Sequence, residues 1–226
     1  NTPVLVSNVT WSGAGLTVPP SSFLPRRAQD MSTVDRKTTS TPLEKKKKSK
    51  TLTTAQHLPK LVVFDLDNTV WTPELYEFYK TPIPGKTLHV FPAALKALKE
   101  LHTETKWNGS MVAAASRTGE IEWAHMSLKT FKVDKDNTFD DLMSFKQIYP
   151  GSKLKHFRRL HEDSKIPYSD MIFFDDCRMN TREVSSLGVF CVYNPNGLTD
   201  ALWKQGIAAF AAKRAKGDRR GATFSL

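Results

Sequence analysis

The run LVVFDLDNTVW, Leu61 to Trp71, decides how the rest of the chain is read. Leu61-Val62-Val63-Phe64 is apolar without alternation, the pattern of a strand buried on both faces. Asp65 and Asp67 follow, two residues apart. Carboxylates at the end of a buried strand are costly unless something compensates them, so the pair demands partners from elsewhere in the chain.

Outward from this run, short apolar segments alternate with helical periods. Strands are predicted at 60–66, 110–115, 142–148, 171–175 and 189–193. Helices are predicted at 92–102, 120–131, 152–162, 180–187 and 199–216. Such alternation predicts an α/β fold: a three-layer, Rossmann-like parallel sheet with helices on both faces. In sheets of this kind functional groups collect beyond the carboxyl ends of the strands.

The residues that end the predicted strands form a set. The first strand ends in Asp65-Leu66-Asp67, the second in Ala115-Ser116-Arg117, and the fourth in Asp175-Asp176. The third leads through Tyr149-Pro150-Gly151-Ser152 into Lys153. Singly, each has an ordinary explanation: a solvated turn, a helix cap, a surface lysine, a loop acid pair. Together they bring four carboxylates, a hydroxyl and cationic groups to one edge, a grouping that a hard divalent cation makes tolerable.

In this order, the set resembles the four motifs of the haloacid dehalogenase (HAD) superfamily of phosphohydrolases. More closely, LPKLVVFDLDNTVW, AAASRTGEI, IYPGSKLKHFRRLH and MIFFDDCRMN resemble the eukaryotic magnesium-dependent phosphatase family of acid phosphatase type, over about residues 58–210. Two departures stand out: Asn68 occupies a position where that family commonly carries tyrosine, and the segment between Trp71 and Phe91 is shorter than usual.

The resemblance implies a magnesium-dependent phosphomonoesterase working through an aspartyl-phosphate. Asp65 is then the nucleophile and Asp67 the acid and base for the leaving oxygen and the water. Ser116 and Lys153 hold the transferring phosphoryl group. The expected Mg2+ ligands are Asp65, the Asp67 carbonyl and Asp176, with Asp175 holding a metal-bound water or orienting Lys153. Asn68, Thr69, Trp71, Ser116, Arg117 and Lys153 are the expected substrate contacts, Asn68 and Thr69 also shaping the turn. Cys177, with no histidine beside it in a motif, reads as a bystander.

Trp71 to Val90 has room only for a minimal cap, with Trp71, Tyr76, Phe78 and Tyr79 as aromatics for a flap. An open site suits a phosphotyrosine-bearing protein or a phosphosugar-type small molecule. Three rivals share parts of the pattern. A phosphorelay receiver domain places its acid pair near the first strand and its phosphorylated aspartate on another. A nucleic-acid end phosphatase shares the chemistry and would draw on basic tails. A non-catalytic module would lack the nucleophile, the acid or the lysine, and none is lacking.

The 226-residue chain carries a net charge of +10, unevenly distributed. Residues 1–57 hold +6 and 204–226 hold +5, leaving −1 for 58–203. The basicity sits at the ends, so nucleic acid is not expected as the main partner. Residues 1–57, rich in Ser, Thr and Lys, read as a disordered basic tail, with a transit segment or a start at Met31 as alternatives. Residues 58–216 read as the phosphatase domain and 217–226 as a basic C-terminal tail. Two cysteines without ligand spacing favour a reducing compartment, and no apolar run is long enough to span a membrane; a monomer is expected. The expected location is cytoplasmic, or nuclear or organellar if the N-terminal tail directs it there.

Overall fold

The computed structural model describes residues 57–226, so the expected N-terminal tail lies outside the described residues except for His57. The central strand β1 (Leu61–Phe64) is completely buried, as its unbroken apolar run requires. It is flanked by β4 (Met111–Ser116) and β6 (Met171–Asp175), both parallel to it. Beyond β4 lies β5 (Met143–Ile148); beyond β6 lie β7 (Phe190–Tyr193) and β8 (Ala222–Phe224). The six-stranded order is β5-β4-β1-β6-β7-β8, with every pairing parallel. The chain winds outward from β1 in one direction, returns, and winds out in the other. The resulting switch point lies between β1 and β6, where a crevice opens at the carboxyl ends.

Alternate residues of each strand feed two separate cores. Val62, Phe64, Ile172 and Phe174 face α1 (Pro92–Thr103), α2 (Ile121–Thr130) and α6 (Asp200–Ala215). Leu61, Val63, Met171 and Phe173 face α4 (Lys153–Ser164) and α5 (Arg178–Ser185). This is the expected three-layer arrangement. Phe64 and Phe174 stack with centroids 5.4 Å apart, and Phe174 lies 5.4 Å from Trp203 of α6. Gly206 lets α6 settle on the sheet, since a Cβ there would sit 2.9 Å from Val192 Cγ2.

Local signals set the helix starts. Pro92 opens α1, where its missing N–H costs nothing. The Ser152 hydroxyl accepts from the Leu154 N–H at 3.1 Å, capping α4 immediately before Lys153. A short helix α3 (Phe139–Leu142) precedes β5. The cap is small: β2 (Trp71–Thr72) pairs antiparallel with β3 (His89–Val90), and residues 73–88 form the flap between them.

Residues 217–226, expected as a basic tail, instead carry the sixth strand. Phe224 stacks on Phe190 at 6.5 Å, and β8 lies in parallel register with β7. The buried Arg214 side chain anchors the turn before it, donating to the carbonyls of Ser169 (2.6 Å), Asp218 (2.6 Å) and Arg220 (3.3 Å). Three apolar or small residues among arginines are too few to outweigh the charge pattern in the sequence, and only the β7 edge reveals their role.

Candidate active site

The crevice at the switch point is an open cleft of about 310 Å³. Asp65, Asp67, Ser116, Arg117, Lys153 and Asp176 all reach it, from the ends of β1, β4 and β6 and the start of α4. The strand-end set read from the sequence is therefore brought together in space.

Lys153 is the hub. Its ammonium, 1 % exposed, lies 2.5 Å from Asp65 Oδ1 and 3.1 Å from Asp175 Oδ2, and also donates to the Ala115 carbonyl. Burial alone would lower its pKa, but the Asp65 and Asp175 carboxylates reverse this and hold it above the usual lysine value. The lysine is thus a permanent cation inside the site.

Asp175, fully buried, is saturated. Its Oδ1 accepts from the Cys177 N–H at 2.7 Å and from Asn180 Nδ2 at 3.1 Å; its Oδ2 accepts from Asn180 Nδ2 and from Lys153. With both oxygens engaged, Asp175 holds Lys153 in place, one of the two roles expected of it. Asn180 in turn accepts from Arg117 Nη1 at 3.1 Å, which ties the cleft wall to the same network.

Desolvation pushes the Asp65 carboxyl well above the usual carboxylate range; Lys153 pulls it down, while Asp175 and Asp176 add to the rise. Burial also raises Asp176, with repulsion from Asp175 adding to it. Oxygens of Asp65, Asp175 and Asp176 lie within 4.8 Å of one another. Three carboxylates face one ammonium, which leaves two negative charges uncompensated when all are ionised. An all-oxygen donor set with that excess fits a hard divalent cation. Since both oxygens of Asp175 are engaged, whereas Lys153 takes only Oδ1 of Asp65, Asp65 and Asp176 are the carboxylates with capacity to hold it.

Asp67 also lines the cleft. The Trp71 indole Nε1 donates to its Oδ1 at 2.8 Å and the Leu75 N–H at 3.3 Å. Desolvation raises its pKa despite these two donors. A carboxyl lining the cleft, with a pKa that burial raises, is suited to protonate a leaving oxygen. Ser116, at the end of β4 and 1 % exposed, accepts from the Thr118 N–H at 3.2 Å, so its own hydrogen is available to a ligand.

Three expected substrate contacts, Trp71, Thr69 and Asn68, lie outside the cleft lining. Trp71 is fully buried, packed 6.1 Å from Phe131, and meets the cleft only through Asp67. Thr69, also fully buried, accepts from Asn194 Nδ2 at 3.0 Å beneath the loop. Asn68 is absent from the cleft lining; at φ 53° it makes the turn, the left-handed region that asparagine tolerates well. The lining residues that sequence reasoning missed are Glu74, Thr118, Gly119 and Asn180; Tyr76, expected as a flap aromatic, lines the cleft, and so does Cys177. Asn180 had a weak signal, a polar residue one turn into the helix that follows the acid pair. Glu74 and Tyr76 come from the flap, where no periodicity points inward.

Comparison with known proteins agrees with this geometry. Residues 57–213 match the acid phosphatase family. Magnesium-dependent phosphatase 1 of Homo sapiens is 39% identical over 168 residues, 68% of this chain and 88% of that protein. A HAD-like hydrolase superfamily protein of Schizosaccharomyces pombe is 32% identical over 143 residues, 58% of this chain and 83% of its own length. Among solved structures, a haloacid dehalogenase-like family hydrolase from Xanthomonas campestris superposes with a TM-score of 0.51 at 10% identity, covering 71% of this chain and 99% of that one, a likeness of fold alone. Among the described residues no helix is long and apolar enough to cross a membrane.

Proposed function

Because the chain belongs to the acid phosphatase family of HAD-like phosphatases, we propose that it is a magnesium-dependent phosphomonoesterase that forms an aspartyl-phosphate on Asp65. The observation that carries this reading is the pairing of buried Asp65 with Lys153 at 2.5 Å, in a cleft that Asp67 also enters. A carboxylate fixed by a lysine and a carboxyl of raised pKa two residues away are the two groups that a double displacement needs.

In the first step an Asp65 oxygen attacks phosphorus while the bond to the leaving oxygen breaks, and that oxygen takes the proton of Asp67. In the second, water attacks the same phosphorus and gives its proton back to Asp67, releasing inorganic phosphate and restoring the Asp65 carboxylate. Ser116 and Lys153 donate to the equatorial oxygens as their charge redistributes. Asp65 and Asp176, with the Asp67 carbonyl, are the residues to hold magnesium. When bound, the ion supplies positive charge that screens Asp65 against the phosphoryl oxygens.

An open cleft with a small flap admits phosphotyrosine-like and phosphosugar-type monoesters, free or on a protein. The test is hydrolysis of p-nitrophenyl phosphate with and without magnesium. Turnover that requires magnesium and disappears in Asp65→Asn supports the reading; undiminished turnover by Asp65→Asn contradicts it.

A further inference from the structure

Glu74 adds negative charge to the cleft without a part in the chemistry just described. It lines the cleft from the flap, near enough to Asp67 and Asp176 for their charges to act on it, in a site already rich in negative charge. A carboxylate added there repels an incoming phosphate dianion.

Yet the flap is built to hold it. Asn68, in the left-handed conformation at φ 53°, donates from Nδ2 to Glu74 Oε1 at 2.8 Å and accepts from the Thr72 hydroxyl at 3.2 Å. The Glu74 backbone N–H donates to Glu77 Oε1 at 3.2 Å, fixing the next turn. The carboxylate is therefore positioned, half-buried, at the cleft wall, where it can only accept hydrogen bonds. The adjoining Tyr76 is 69 % exposed at the same wall and offers an aromatic face to a bulky ligand.

We propose that Glu74, positioned by Asn68, selects the leaving group: it accepts hydrogen bonds from monoesters whose leaving group carries hydroxyl or ammonium donors. This deepens the phosphatase reading, on which it rests, and favours phosphosugar-type substrates over donor-free aryl or alkyl ones. A site with a fixed acceptor discriminates strongly against analogues that leave the acceptor unpaired.

The experiment compares kcat/KM for glucose 6-phosphate and for cyclohexylmethyl phosphate, which has the same ring size and no hydroxyls. Glucosamine 6-phosphate, run in parallel, separates an ammonium donor from a hydroxyl. Each is measured on the unaltered chain, Glu74→Gln and Asn68→Gly, the last keeping the positive φ accessible while removing the amide. The expected result is a preference of the unaltered chain for the sugar phosphates that falls about tenfold in Glu74→Gln and less in Asn68→Gly. A larger fall for glucosamine 6-phosphate than for glucose 6-phosphate identifies the ammonium as the favoured donor; equal falls identify the hydroxyls. Because the measure is a ratio, a general loss of activity or stability cancels. Turnover with an unchanged ratio in Glu74→Gln overturns the inference while leaving the phosphatase reading intact. No turnover of any substrate by the unaltered chain overturns both.

Discussion

The indole of Trp71 donates to Asp67 Oδ1 at 2.8 Å from a fully buried position, so a residue expected at the substrate instead positions the acid. Trp71→Phe keeps an aromatic ring and removes that bond, at the cost of part of the buried volume. It is expected to slow hydrolysis of alkyl phosphates about tenfold, the worth of one hydrogen bond to a charged group, and of p-nitrophenyl phosphate far less. A good leaving group needs little protonation, so the unequal loss marks an effect on Asp67. The bond also favours the ionised carboxyl, so its removal moves the alkaline limb of kcat to higher pH. Equal loss on both substrates, with an unmoved pH profile, points to simple destabilisation.

The two neighbouring aspartates are expected to fail differently. Asp176→Asn removes a carboxylate that Lys153 does not occupy, and should raise the magnesium concentration for half-maximal activity by about tenfold or more. Asp175→Asn strips Lys153 of one of its two buried partners, so it is expected to cost about 3 kcal/mol in urea unfolding. Magnesium titration and denaturation of both variants separate the roles; a magnesium shift confined to Asp175→Asn reverses the assignment.

Stability without metal should fall as pH rises. Burial raises the folded pKa of Asp65, Asp67 and Asp176 above the ordinary value. The folded chain thus binds more protons than the unfolded chain from about pH 4 up through the raised values, and loses stability across that window. His156, whose pKa burial lowers, acts oppositely below about pH 6.5. The variant comparison removes that contribution: in EDTA, Asp176→Asn should gain in Tm relative to the unaltered chain as pH rises from 5 to 7.5. Magnesium should raise the Tm of the unaltered chain more at pH 7.5 than at pH 5, since ligation needs ionised carboxylates. A Tm difference independent of pH contradicts the acid crowding.

The last strand should be structural. A Cβ at Gly221 would fall 1.8 Å from the Ser185 carbonyl oxygen, a backbone atom that cannot swing aside. Gly221→Ala is expected to lift β8 from β7 and cost about 1–2 kcal/mol, mostly through the Phe224–Phe190 contact. Amide exchange at Cys191 and Tyr193, on the β8 side of β7, reports the undocking. Unchanged exchange and Tm would show the strand to be dispensable.

Much of this was legible because buried parallel strands write themselves as unbroken apolar runs. Leu61–Phe64 and Met171–Asp175 could be located from composition alone, and the polar residues that end them had to meet at the carboxyl edge. What escaped the sequence depends on side-chain direction. In a two-residue strand such as Trp71–Thr72 no alternation exists to say which way the indole faces. Thr69 looks available in a turn until Asn194, 125 residues away, claims it from beneath. Glu74 enters the cleft only because Asn68 takes a left-handed turn, which a polar flap sequence does not announce.

The central claim is that Asp65 carries the phosphoryl group. The most direct measurement is acid quenching of the magnesium-loaded chain during turnover of p-nitrophenyl phosphate, followed by borohydride reduction and peptide mapping. An acyl phosphate on Asp65 is reduced to homoserine at that position, and none should form in Asp65→Asn. An unmodified Asp65 peptide under conditions of steady turnover, with the label on another side chain or on none, would contradict the account.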